Sequence, residues 1–165
     1  MVSIQKQLED ASEYLQNAAS CEATGDYKMA CYYFHRAGDL FADVARSGPH
    51  MKKYWNDVGR TQQCVAKCKE QEITGTGISR ELRMHAAAEE YVKAAEYYAW
   101  SGTGIDQVVE NYTLAINLHV GANNPARADA LRQKIAIQVG YDEMKRTPNV
   151  PLMNRIMGEI ACNSH

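Results

Sequence analysis

Apolar residues recur at helical spacing along most of the chain. Between about residues 50 and 72, Met51, Trp55, Val58 and Val65 fall on one line, while Lys53, Arg60 and Lys67 step by sevens along another. One face is core and another is wet. Tyr33, Phe34, Ala37, Leu40, Phe41 and Val44 stand in the same relation in the preceding segment, and Ala87, Ala88, Tyr91, Ala94, Ala95 and Tyr98 in the following one. Alanines opposite large aromatics let helix axes approach closely and interdigitate. The period-two alternation of a strand is not sustained anywhere.

Helices exclude glycine and proline from their interiors and accept them at their ends, so these residues punctuate the chain. Gly25, Gly48, Pro49, Gly75, Gly77, Gly102, Gly104, Gly121 and Pro125 cluster into five breaks. The pattern predicts six helices, at about 3–23, 27–46, 50–72, 80–100, 105–120 and 125–140. Gly48-Pro49 and Gly121 read as helix stops, Ser79 as an N-cap, and Asn124 as an N-cap before a proline at the first helical position. The expected class is all-α: six antiparallel helices stacked as helical hairpins over residues 1–145. In the tail, 146–165, Pro148 and Pro151 break the chain and Leu152, Met153, Ile156, Met157 and Ile160 form an apolar stripe. That stripe predicts a short amphipathic helix capping the open end of the stack.

An internal similarity overlies this pattern. A shift of 77 aligns Ala11, Glu13, Tyr14, Ala18 and Gly25 with Ala88, Glu90, Tyr91, Ala95 and Gly102, and one further residue aligns Ala37 and Leu40 with Ala115 and Leu118. The matches fall on packing positions, which suggests a duplication of 1–72 as 79–145.

Composition narrows the class without adding chemistry. Apolar runs such as Tyr97 to Trp100 fall far short of the roughly twenty residues of a membrane span, and Met1–Asp10 carries Lys6, Glu9 and Asp10 instead of a secretory apolar core. Residues 1–72 and 73–165 each hold 9 basic and 10 acidic side chains, so neither half has the basic excess of a nucleic-acid binder. Five cysteines, an odd number, read as reduced thiols and a cytoplasmic location.

Residues 25–37, Gly-Asp-Tyr-Lys-Met-Ala-Cys-Tyr-Tyr-Phe-His-Arg-Ala, resemble the turn and second helix of a tetratricopeptide repeat, with Tyr14, Ala18, Gly25, Ala30, Phe34 and Ala37 in the pattern. Asn17 and Cys21 depart from it, and the closing proline is missing. Trp55-Asn56-Asp57-Val58-Gly59 resembles the start of a second copy, whose second helix would follow a long connection from Gln71 to Ser79. The long helices, with Ala88 to Tyr98 and Asn111 to Ile116, look more like the soluble NSF-attachment proteins over about residues 8–140. That resemblance implies a right-handed array of hairpins and a vesicle-trafficking role. The rival resemblance is to a tandem of microtubule-interacting-and-trafficking domains, whose three-helix bundles suit the 77-residue shift, although Arg60 to Cys64 departs from their third-helix pattern.

A stack of this kind places function on its inner groove. With Trp55 as the packing aromatic, Lys53, Asn56, Arg60 and Gln63 turn toward that groove, and the equivalent line around Tyr91 is Glu89, Val92, Glu96 and Trp100. A groove basic beside one hairpin and acidic beside the next suits a peptide or helical bundle of mixed charge. The expected function is a non-enzymatic adaptor that uses no cofactor and binds a protein partner, not nucleic acid. The alternatives are a self-assembling structural protein joined through the C-terminal stripe, and a metal- or ligand-binding bundle using Cys64 and Cys68, one helical turn apart, with His35 or His85. The glycine-rich turns at 73–77 and 101–104 lack the Gly-Lys-Ser/Thr of a phosphate loop. His35 has no assignable catalytic partner.

Overall fold

The computed structural model describes residues 2–102 and 104–146. It is all-α there: α1 (Ile4–Ala23), α2 (Tyr27–Arg46), α3 (Trp55–Gln71), α4 (Gly77–Ser101), α5 (Ile105–Gly121) and α6 (Pro125–Arg146), with a 3-10 helix at Pro49–Tyr54 leading into α3. The expected tail helix at 146–165 lies, but for Arg146, outside the described residues.

Local signals set most helix ends. Ser3 Oγ, Asp26 Oδ1 and Asn124 Oδ1 accept from the backbone N–H groups of Lys6, Met29 and Arg127 at 3.1, 3.2 and 3.3 Å, so three helix starts are capped by short polar side chains. Gly25 and Gly102, aligned by the 77-residue shift, both take left-handed backbone (φ 78° and 68°) just past a helix end. At Gly25 the Asp26 N–H reaches Cys21 O and the Gly25 N–H reaches Glu22 O, which satisfies the last carbonyls of α1.

Three boundaries differ from the sequence reading. The start of the third helix is a 3-10 segment, because Pro49 sets the first turn and the chain tightens before Trp55. Helix α4 begins at Gly77, and its N-cap is Thr76, without a side-chain bond, in place of Ser79. Arg83 Nη1 binds both Thr74 O and Thr74 Oγ1, which folds the expected long connection into a short turn. Helix α6 runs on through Gly140 to Arg146, since that glycine is buried and tertiary packing overrides its weak propensity.

Each helix packs against the next in sequence, α1 on α2 through to α5 on α6, consistent with stacked hairpins. Alternate helices meet mainly through side chains. Ala18 of α1 shares a cluster with Phe34, Val65 and Cys68, and Glu89 of α4 reaches Arg127 of α6. The largest cluster joins Tyr91, Val92, Tyr98, Val108, Tyr112, Ile116 and Leu131. Ala11, Ala18 and Ala37, with their aligned partners Ala88, Ala95 and Ala115, are all fully buried. Glu13 is exposed whereas its aligned partner Glu90 is buried: α4 packs along its length on both α3 and α5, whereas α1 does so on α2 alone.

Candidate protein-binding cleft

A cleft of about 180 Å³ runs between α2 and α4 with α3 as its floor. Its α2 wall carries His35, Asp39, Asp43 and Arg46, residues three to four apart that share one helix face, and its α4 wall is Tyr97. Thr61 and Gln62 form a buried polar floor. Gly38 lets the helices come this close: a Cβ there would fall 2.8 Å from Thr61 Oγ1. Pockets that enclose a small molecule hold roughly 300–1,000 Å³, so this volume suits one or two side chains of a bound segment.

Aromatic side chains continue the cleft past Tyr97. Trp55 stacks on Tyr97 with planes 5° apart and centroids 5.8 Å apart, and Trp100 meets both edge-on, at 5.0 and 5.4 Å. Such pairs contribute about 0.5–1.5 kcal/mol each beyond area burial. Trp100 nevertheless remains 51% exposed, an unusual state for a tryptophan in an ordered cluster. The Arg46 guanidinium carbon lies 5.3 Å from the Trp55 ring centroid and the Lys53 ammonium 5.4 Å from that of Tyr54. Lys52 stands beside Gly102 at the C-terminus of α4. One end of the surface is thus aromatic and basic, and the cleft behind it is acidic.

Of the residues expected in the groove, Trp100 lies on this surface, while Lys53 lies against Tyr54. Asn56 is half-buried at the start of α3. Arg60 pairs with Asp57, and Gln63 accepts from the Tyr98 hydroxyl at 3.2 Å, so both serve a different side of α3 from Thr61 and Gln62. Glu89 is held by a two-point bond from Arg127 at 2.9 and 3.0 Å, and Glu96 lies 3.9 Å from Lys134, which commits both to α6. Val92 belongs to the core. The sequence reading missed Asp39, Asp43, Arg46 and Tyr97. Tyr97 had a signal, the Tyr-Tyr pair at 97–98, because neighbours on a helix point about 100° apart and cannot enter the same core.

Two other polar groupings are bonded internally. His85 and His119 face each other Nδ1 to Nδ1 at 2.9 Å. Their centroids are 5.1 Å apart, about that separation plus the two ring radii, so the nitrogens meet end-on and share one hydrogen bond. His119 is 1% exposed, and its Nε2 lies 3.6 Å from Glu89 Oε1, beyond hydrogen-bond reach. Burial pushes the His119 imidazole below its ordinary value; Glu89 opposes this, while His85 and Arg127 add to it. For Glu89, burial acts upward, but the hydrogen bonds and charge of Arg127, helped by His119 and Lys134, hold the carboxyl below the usual range.

The four described cysteines are packing residues. Cys68 is buried with Ala18, Ala30, Phe34 and Val65, and Cys21, Cys31 and Cys64 border the same cluster. Burial, with Glu22 adding, pushes the Cys68 thiol up to about 12, and burial raises Cys31 and Cys64 too, which disfavours the reactive thiolate. Among the described residues no three His, Cys, Asp or Glu side chains gather as a metal site. No described helix is long and apolar enough to cross a membrane. No protein-family model, curated protein or solved structure matches the chain.

Proposed function

We propose that this protein is a non-catalytic scaffold that holds a segment of another protein in the α2–α4 cleft, anchored on Trp55, Tyr97 and Trp100. The observation that carries the reading is the half-exposed Trp100, kept at the surface by two aromatic neighbours in place of burial. Rigid aromatic anchors beside a pocket are what binding hot spots use, since they offer large contact area at low entropic cost. The small volume and mixed lining of the cleft favour a side chain of a bound segment over a free metabolite.

The test is quantitative affinity capture with the wild-type chain and Trp100→Ala. Partners enriched by the wild type are expected to fall roughly fivefold or more with the variant, about 1 kcal/mol or more of binding. Equal enrichment by both proteins would remove the cleft rim from the interaction.

A further inference from the structure

We infer that the segment taken by this cleft is dipolar, with a cationic side chain at one end, acidic side chains at the other and an apolar residue between. The inference rests on the protein-binding reading above and adds the chemistry of the partner.

The charges on the cleft are sorted by position. Asp39 and Asp43 are both exposed on the α2 wall, and Asp39 forms no ion pair among the described residues. Asp43 meets Arg46 at the long separation of 3.8 Å, with both side chains at least 60% exposed, and Arg46 is turned over the Trp55 ring. Such a pair contributes little and yields readily to a better partner. A guanidinium or ammonium entering the cleft would find two carboxylates on one side and the Tyr97 ring on the other, the combination that best replaces lost water around a cation.

Toward the aromatic cluster the sign changes: Arg46, the last residue of α2, lies over the Trp55 ring, and Lys52 stands beside Gly102, two residues past Trp100. Lys52 forms no ion pair among the described residues. From Asp39 to Arg46 is seven residues of helix, about 10 Å at 1.5 Å per residue, which a bound helix covers in about two turns. Trp100, exposed beside Trp55 and Tyr97, offers an apolar contact on the same surface. A uniformly acidic segment would meet Asp39 and Asp43, and a uniformly basic one would meet Arg46 and Lys52, so each is disfavoured at one end.

The chain has two tryptophans, Trp55 and Trp100, and both belong to this cluster, so intrinsic fluorescence reports occupancy directly. The probes are three short amphipathic helical peptides of equal length with a leucine centre: one with arginines at one end and glutamates at the other, one with glutamates at both, one with arginines at both. The dipolar peptide should bind at least roughly tenfold tighter than either uniform peptide, about 1.4 kcal/mol. In the exposed double variant Asp39→Lys/Asp43→Lys the preference should pass to the all-acidic peptide. Equal affinities, no response from any peptide, or an unchanged preference in the double variant would each overturn the dipolar inference. A fluorescence shift with phosphatidylserine vesicles and not with the dipolar peptide would also overturn it and assign the surface to lipid. Trp100-dependent capture of partners is scored separately, so the dipolar chemistry can fail while the protein-binding reading stands.

Discussion

The Tyr98 ring lies flat against Gly59, where a Cβ would fall 2.9 Å from Cγ and 3.0 Å from both Cδ atoms. The ring has no room to retreat, since Tyr98 is buried and its hydroxyl is held by Gln63. Gly59→Ala should lower stability by about 1–3 kcal/mol from overpacking, outweighing a helix-propensity gain of up to about 1 kcal/mol. At Gly121 the nearest atom to a Cβ is the mobile Met84 methyl, so Gly121→Ala should change stability by less than about 0.5 kcal/mol. Urea denaturation of the two variants checks the contrast; similar losses in both would contradict it.

Stability should fall in two stages as pH drops. The folded state holds His119 below its ordinary value near 6.5, so the unfolded chain binds more protons there and the contribution, complete above about 6.5, is lost on acidification. Glu89, also held below its ordinary value, adds a second contribution that is complete above about 4.5 and is lost at lower pH. Denaturation midpoints measured from pH 8 to about 2.5 should decline first as the pH falls below about 6.5, and again below about 4.5. His119→Gln should flatten that first decline and leave the second, and a slope unchanged by the substitution would remove His119 as its source.

Glu90 is a buried carboxylate with three partners: Gln62, Lys69 at 2.8 Å and Lys93 at 3.5 Å. Lys69 is half-buried and makes the close contact, whereas Lys93 is a solvated neighbour one turn away. Lys69→Ala leaves a buried charge poorly compensated and should cost about 1–3 kcal/mol. Lys93→Ala should stay within about 0.5 kcal/mol. Thermal melts of the two variants decide the order.

Trp55 and Trp100 touch each other yet should separate stability from binding. Trp55 packs with Val58, Phe41 and Tyr97, so Trp55→Ala should cost about 3–5 kcal/mol if its site does not collapse. Trp100 faces solvent and Trp100→Ala should cost less than about 1 kcal/mol while weakening partner binding. A Trp100→Ala variant that melts as early as Trp55→Ala would make Trp100 structural.

The six helices and most of their ends were legible because their causes are local. Apolar spacing, Asn124 as a cap, and the glycine breaks at Gly25 and Gly102 act within a few residues of where they are written. Two of the three misread boundaries have causes beyond the local pattern, Arg83 tying down Thr74 and the burial of Gly140 inside α6, whereas the 3-10 start before α3 follows from Pro49.

Periodicity places Arg60, Gln63, Glu89 and Glu96 on polar faces but does not say which neighbour each face meets, and all four take partners outside the cleft. By itself the sequence determined an all-α chain, the positions of its helices and the alanines on which they pack. Only the tertiary structure decided that Asp39, Asp43, Arg46, Tyr97 and Trp100 share one surface. Their approach depends on how α2 and α4 settle against α3, through contacts such as Gly38 on Thr61 and Gly59 on Tyr98, and those side-chain fits carry no period that a single sequence displays.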